Sequence, residues 1–316
     1  RREPGGYVSV SHMNIASALQ TRTEQVILEK LQLMSDNFNS NNLCLSGGLF
    51  MNCSLNGKIY KSSIFDNIFV NPFSGDNGNS IGAAFLSSDN KYKMETPFLG
   101  SRYSENYIDD FVNGKGFLQK GSSVYSEAAM LLKQGATIGF FQGASEFGAR
   151  ALGNRSILSA PYPESKKDDI NKNIKFREYF RPFAPSILAE YLSMYFETKS
   201  EYKPLKTNSE NLLVFSSESP YMTTAYSVRE EYRKQVPAIV HHDNTSRVQT
   251  VNFNDNVHLY KLLNSFYKIT NIPLLLNTSF NVKGQPIVNN PEQAYNMYMN
   301  SGLDALVIGE YIKEGR

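Results

Sequence analysis

The sequence predicts an α/β chain with some α+β character, organised as two domains, and three observations carry that reading. The 316 residues, 41% hydrophobic and 20% charged, suffice for one large core or two ordinary ones, and two match the usual domain size. A short strand, a glycine-bearing polar loop and a helix follow one another twice within the first hundred residues. Beyond them, short apolar runs alternate with amphipathic stretches, a mixture that argues for layered strands and helices over a bundle or a sandwich.

In chain order, Ile15 to Met34 places Ile15, Ala18, Leu19, Val26, Leu31 and Met34 at roughly helical spacing, which predicts an amphipathic helix in one or two pieces. Leu43 to Ser46 is a short strand that ends in Gly47-Gly48, and Met51 to Tyr60 reads as a helix. A glycine pair between strand and helix lets backbone N–H groups approach a phosphate, where the helix dipole favours negative charge. The same arrangement recurs as Ile68 to Val70, the polar loop Asn71 to Ser80, and a helix through Ile81, Ala83, Ala84 and Phe85. Asp76 is the one carboxylate in that loop, either a ligand or a turn residue bonded to its own backbone. Ser88 to Ser104 lacks periodicity and contains Pro97 and Gly100, so it reads as a linker between domains 1–100 and 101–316.

In the second domain, Tyr125 to Gln134 reads as a helix and Thr137 to Phe141 as a buried strand delivering the Gln142-Gly143 turn. Ser156 to Ala160 and Pro185 to Ala189 are short apolar pieces, and Thr198 to Ser209 is a polar surface excursion. Ala238 to Val240 leads to a strand and polar turn ahead of Arg247, and a helix is expected from His258 to Ile269. Pro273 to Asn281 follows, with Asn277, Thr278 and Ser279 past its apolar run, and Leu303 to Ile308 reads as the final strand. Adjacent histidines on a strand face opposite ways, so His241 and His242 read as structural or exposed rather than as a metal pair.

Charge is concentrated. Glu146 to Arg181 holds eight Lys or Arg against five Asp or Glu, whereas the whole chain carries only +2. Arg150, Arg155, Lys172, Lys175, Arg177 and Arg181 sit there among glycines, aromatics and prolines, a composition suited to a pocket for a small phosphorylated ligand. The competing reading is a helix surface whose charges pair with their own acidic neighbours. Long nucleic acid, which needs an extended basic face interleaved with aromatics, is disfavoured. There is no run of 18 apolar residues and no hydrophobic segment behind the first two arginines, so neither a membrane span nor a signal peptide is expected, and a cytoplasmic location follows. Cys44 and Cys53 are too few for a disulfide framework and read as reduced packing residues. The absence of an initiator Met marks the chain as an expected fragment.

Four runs occur in order: E-F-G-x-R-A-L-G-N-R-S from Glu146, K-x-R-E-x-x-R-P-F-A-P from Lys175, D-x-T-x-R-V-Q-T-V from Asp243, and L-L-N-T-S-F-N-x-x-G-x-P-I-V from Leu275. With the earlier L-S-G-G-x-x-x-N and P-x-S-G-D-N-G segments, they resemble the O-carbamoyltransferase family of nodulation and antibiotic-tailoring enzymes over nearly the whole chain. The resemblance implies the later part of an actin-like ATPase, threonylcarbamoyltransferase-like lobe followed by a YrdC-like α/β domain. It implies that carbamoyl phosphate and ATP with Mg²⁺ give carbamoyl adenylate, whose carbamoyl group passes to a small hydroxylated acceptor; a homodimer is compatible with it. Laid on matching positions, Arg150, Lys175, Arg181 and Arg247 would be catalytic and Arg155, Asn277 and Ser279 substrate-binding. Gly47, Gly48 and Asn52 would form the nucleotide loop, and Asp76 would bind Fe or another transition metal. The family's pair of metal-binding histidines four apart is missing: His12, His241, His242 and His258 do not form one. Two other readings stay open, another carbamoyl-adenylate enzyme of threonylcarbamoyl or hydrogenase-maturation type, and a non-enzymatic module that senses a phosphorylated ligand.

Overall fold

The computed structural model describes residues 6–89, 96–199, 204–207, 213–215 and 219–315. The first unit holds helix α1 (Val10–Asn37), strand β1 (Asn42–Leu45), α2 (Cys53–Ser62), β2 (Asn67–Val70) and α3 (Gly78–Leu86). β1 and β2 pair in parallel, as a strand–helix–strand crossover requires. Leu31, Leu43, Leu45, Leu55, Ile59, Phe65 and Val70 form a small core of their own.

The second unit opens with α4 (Glu105–Val112), β3 (Leu118–Gln119), α5 (Val124–Lys133), β4 (Thr137–Phe141), β5 (Arg155–Ser159), α6 (Lys166–Asn173) and β6 (Ala184–Leu188). The one-turn α7 (Leu192–Tyr195) follows, then β7 (Pro204–Thr207) paired with β8 (Leu213–Phe215), β9 (Ala225–Ser227), the one-turn α8 (Glu230–Arg233) and β10 (Thr245–Arg247), which pairs with β9. The chain ends with β11 (Gln249–Val251), α9 (Val257–Thr270), β12 (Leu274–Ser279), α10 (Pro291–Met299), β13 (Ala305–Ile308) and β14 (Tyr311–Glu314). Among the described residues, eight strands form one mixed sheet in the order β11-β6-β12-β5-β4-β13-β14-β3. Every residue of β4, β5, β6, β11 and β13 is buried, so both faces of these strands are covered, and β4 and β13 read as apolar runs instead of alternating ones. α5 and α9 pack on each other and against β4 and β12, while α10 lies against β4 and β13.

The units dock closely. A Cβ on Gly57 of α2 would lie 2.3 Å from the Ala225 carbonyl oxygen of β9, so only glycine permits this approach. Beside it, Asn56 Nδ2 donates to the Thr223 carbonyl at 2.7 Å, and the Tyr60 and Tyr226 rings meet edge-on at 5.2 Å.

Several expectations are corrected. α1 forms as a single helix, capped by Ser9 and His12, but Leu31 is its one buried residue among those described, so most of the expected amphipathic stripe is uncovered. Ala238 lies in a 3-10 turn (Pro237–Ile239) rather than leading into a strand, and Arg247 is the last residue of β10, which follows the polar turn of residues 241–244. Leu303 to Ile308 does not end the fold: Gly309, at φ 55°, turns the chain back into β14. Residues 96–104 are docked, Gly100 N–H donating to Ser145 O and Phe147 N–H to Pro97 O. Residues 90–95 of the expected linker, and residues 200–203 and 208–209 of the expected surface excursion, lie outside the described residues.

Candidate functional site

Residues 142–154, between β4 and β5, form the first wall of the site. Glu146 Oε1 accepts the N–H groups of Leu152, Asn154 and Arg155 at 2.7, 2.9 and 3.2 Å, which curls this loop around one carboxylate. Asn256, the N-cap of α9, donates from Nδ2 to Leu152 O and Asn154 Oδ1. Gly153 has φ 109°, and a Cβ there would meet Leu259 Cδ2 at 2.5 Å. The sequence expectation for Arg155 is corrected here. Its side chain is 0% exposed, it stacks 3.6 Å from the Phe141 ring, and it donates to the carbonyls of Gln142, Gly143, Asn154 and Ser101. Committed to backbone carbonyls, Arg155 holds the loop and does not reach the cavity.

The opposite wall is residues 174–183. Phe176 turns it at φ 48°, and buried Asn171 of α6 ties it down through Nδ2 to Tyr179 O and Arg181 O. Arg177 Nε donates to Asn171 Oδ1 at 2.6 Å, with its guanidinium 4.6 Å over the Phe183 ring. Lys175 is likewise displaced from its expected role. It is 3% exposed, and its Nζ is surrounded by Ser279 O, Ser279 Oγ, Asn281 O and Asn281 Oδ1 at 2.7, 3.2, 2.7 and 2.7 Å. Burial, then Arg177 and Arg181, push its ammonium down to about 7. In this conformation Lys175 braces the end of β12 from behind, so its expected contact with phosphate is not formed.

Between these walls lies a cavity of about 270 Å³. Arg150, Arg177, Arg181 and Arg247 line it, over a floor that includes Ala184, Asn277, Thr278 and Ser279. Among the described lining residues there is no Asp or Glu. Burial first and then Arg247 lower the Arg150 pKa to about 10; burial, Arg181 and Arg247 do the same to Arg177. Arg247 is lowered chiefly by burial, and its Nε has no hydrogen-bond partner among the described residues. Four mutually repelling guanidiniums around one cavity form a site that a polyanion would relax. Asn277, 1% exposed, donates from Nδ2 to Ser186 Oγ at 2.8 Å, and its Oδ1 is unpaired among the described residues. The structure thus brings together the expected Arg150, Arg181, Arg247, Asn277 and Ser279, with Arg155 and Lys175 behind them.

The first unit reaches this cavity from one side. Arg150 Nη2 donates to Met51 O at 3.0 Å, and Cys53, half-buried at the first turn of α2, sits against both Arg150 and Arg247. Cys53 is therefore a neighbour of the arginines rather than a packing residue, and Cys44 is exposed on β1. Gly47, at φ 103°, and Gly48 are exposed, and a Cβ on either would meet nothing within 4 Å, so this backbone is open to a ligand. Asn52 is occupied otherwise: it caps α2 through Leu55 N–H and pairs with Gln20 at 2.8 Å. Asp76 is exposed, and the described residues contain no group of three His, Cys, Asp or Glu able to hold a metal. His241 donates from Nε2–H to Phe183 O at 3.1 Å, since a carbonyl can only accept, and its half-buried ring is structural; His242 is exposed.

Sequence reasoning assigned no role to Glu146 or Met222. Glu146 gave no signal beyond its place beside the arginines, since its three N–H partners come from a loop conformation that spacing does not encode. Met222, at φ 54°, lines the cavity from a segment without periodicity.

Comparison with known proteins finds relatives over the whole chain. The family model described as "Carbamoyltransferase C-terminus" matches residues 129–314, and "Carbamoyltransferase N-terminus" matches residues 4–85. Nodulation protein NolO of Bradyrhizobium diazoefficiens is 36% identical over 325 residues, covering 100% of this chain and 57% of that protein. An uncharacterized protein of Synechocystis sp. is 35% identical over 347 residues, covering 99% and 54%. The chain therefore spans about half the length of the curated relatives it matches. Among solved structures, full-length HypF in its phosphate- and nucleotide-bound form aligns at a TM-score of 0.40 and 15% identity, covering 59% of this chain and 25% of that one.

Proposed function

The chain belongs to the carbamoyltransferase family, and from that premise we propose that its four-arginine cavity binds carbamoyl phosphate and the phosphates of Mg²⁺-ATP and forms carbamoyl adenylate. Water cleaves carbamoyl phosphate to carbamate and phosphate, a carbamate oxygen attacks the α-phosphorus of ATP as the α–β bond breaks and pyrophosphate leaves, and an acceptor hydroxyl then takes the carbamoyl group with release of AMP. The observation that carries this reading is the convergence of Arg150, Arg177, Arg181 and Arg247 on one cavity without a lining carboxylate among the described residues. No protein nucleophile is required. Arg150 and Arg181, on opposite walls, fork onto phosphoryl oxygens and hold the two reactants in line, while Arg247 neutralises charge on the departing phosphate. Lys175, Ser279 and Asn281 keep the end of β12 in place behind them.

The test mixes this chain with ATP, Mg²⁺ and carbamoyl phosphate, without acceptor, and measures pyrophosphate release and carbamoyl-adenylate mass. Arg150→Ala should lower pyrophosphate release by about 100-fold at unchanged melting temperature, the usual scale for one lost transition-state donor. Undiminished release in Arg150→Ala would contradict the reading.

A further inference from the structure

A second cavity, of about 310 Å³, lies where β2 of the first unit faces β11, the edge strand of the large sheet. Its chemistry is the opposite of the arginine site. Among the described lining residues there is no Lys, Arg or His, and the one charged group is Asp255. Apolar walls come from Phe98, Leu152 and Val251. The side-chain hydroxyls of Tyr221, Thr223 and Thr224, all lining it, make no hydrogen bond within the described residues. A cavity with uncommitted hydroxyls, an aromatic wall and no cation disfavours phosphate or carboxylate and suits a neutral ring that carries hydroxyls of its own.

The two cavities share a partition. Ala151 lines the arginine site and Leu152 the second cavity, while Met222 faces the former and its neighbours Tyr221 and Thr223 line the latter. Met222 holds φ 54°, a left-handed backbone uncommon for a non-glycine residue, at the point where the segment divides the two spaces. Gln249 spans them: it lines the second cavity, donates from Nε2 to Leu152 O at 2.8 Å, and accepts through Oε1 from Asn277 of the arginine site at 3.3 Å. We propose that this cavity is a binding site for a neutral, hydroxyl-bearing ring of sugar or nucleoside size, held by Tyr221, Thr223, Thr224 and Asp255 next to the phosphoryl groups in the arginine pocket. The proposal is one of binding and stands whether or not the arginine site makes an adenylate. The ring can belong to the nucleotide whose phosphates fill that pocket or to a separate hydroxylated molecule.

Saturation-transfer NMR on this chain with adenosine and with methyl β-D-glucopyranoside, each at millimolar concentration, tests it. At least one probe should bind, and Thr224→Val and Tyr221→Phe, which remove a hydroxyl at nearly constant volume, should each weaken it about fivefold, the worth of one ordinary hydrogen bond. A nucleotide-borne ring is indicated if AMP displaces adenosine and binds less tightly in both Thr224→Val and Arg247→Ala. A separate molecule is indicated if the glucoside binds together with AMP. Ring-labelled Tyr221 gives a readout in the unaltered protein, its resonances shifting on addition of the bound probe. Binding of neither probe, binding unchanged in both variants, or Tyr221 resonances that do not move would overturn the proposal.

Discussion

Arg155 and Arg150, five residues apart in one motif, have opposite fates because of what surrounds each guanidinium. Four backbone carbonyls take up Arg155, whereas Arg150 gives one bond to Met51 O and keeps its remaining donors toward the cavity. Arg155→Met should therefore cost stability, about 3 kcal/mol by the cost of stranding buried acceptors, and Arg155→Lys should not restore it, since an ammonium cannot serve that fork. A thermal melt of the three proteins checks this. For Lys175, burial and its arginine neighbours lower the pKa from 10.5 to about 7, so between these values the folded chain binds fewer protons than the unfolded one and stability rises with pH. An anion in the pocket offsets Arg177 and Arg181, raises the Lys175 pKa, and so brings proton uptake. Sulfate, which does not titrate here, should bind more weakly at pH 8.5 than at pH 6.5, and Lys175→Met should flatten that dependence in calorimetry.

At the scale of elements, the loop of residues 142–154 depends on a tight joint at Gly153. Gly153→Ala would have to push Leu259 of α9 aside at a φ unfavourable to an L-residue, so about 2 kcal/mol of stability should be lost. Denaturant unfolding measures it, and the pyrophosphate-forming activity should fall with loop order. Elements of this kind were largely legible in the sequence. β1, β2, β4, β5, β6, α2, α5 and α9 were readable because each strand carries a short apolar stretch bounded by polar or glycine-bearing loops and the amphipathic helices give a 3.6-residue period. β14 was not, since Tyr311, Ile312, Lys313 and Glu314 alternate too briefly, and pairing with β13 stabilises them. The arginine-rich walls were legible as a cluster, but the difference between Arg155 facing inward and Arg177 facing the cavity was not. That difference is set by the carbonyls of Gln142 and Ser101 and by Asn171, groups brought together only by folding.

At the scale of the whole molecule, two cores meet at a seam, and both cavities border it. Met51 O and Cys53 of the first unit touch the arginines, while Ile68 to Val70 close the neutral cavity. Gly57→Val would drive the units apart at Ala225 O, and it should weaken anion binding although it lies outside the arginine pocket, which fluorescence-free calorimetry can read directly. The most direct test of the central claim, that four arginines make one polyanion site, is calorimetric titration of this chain with tripolyphosphate. One equivalent should bind, and Arg150→Ala, Arg177→Ala, Arg181→Ala and Arg247→Ala should each weaken it by about tenfold or more, as expected for a lost charge-assisted bond. Binding that is absent, or that survives all four substitutions unchanged, would contradict it.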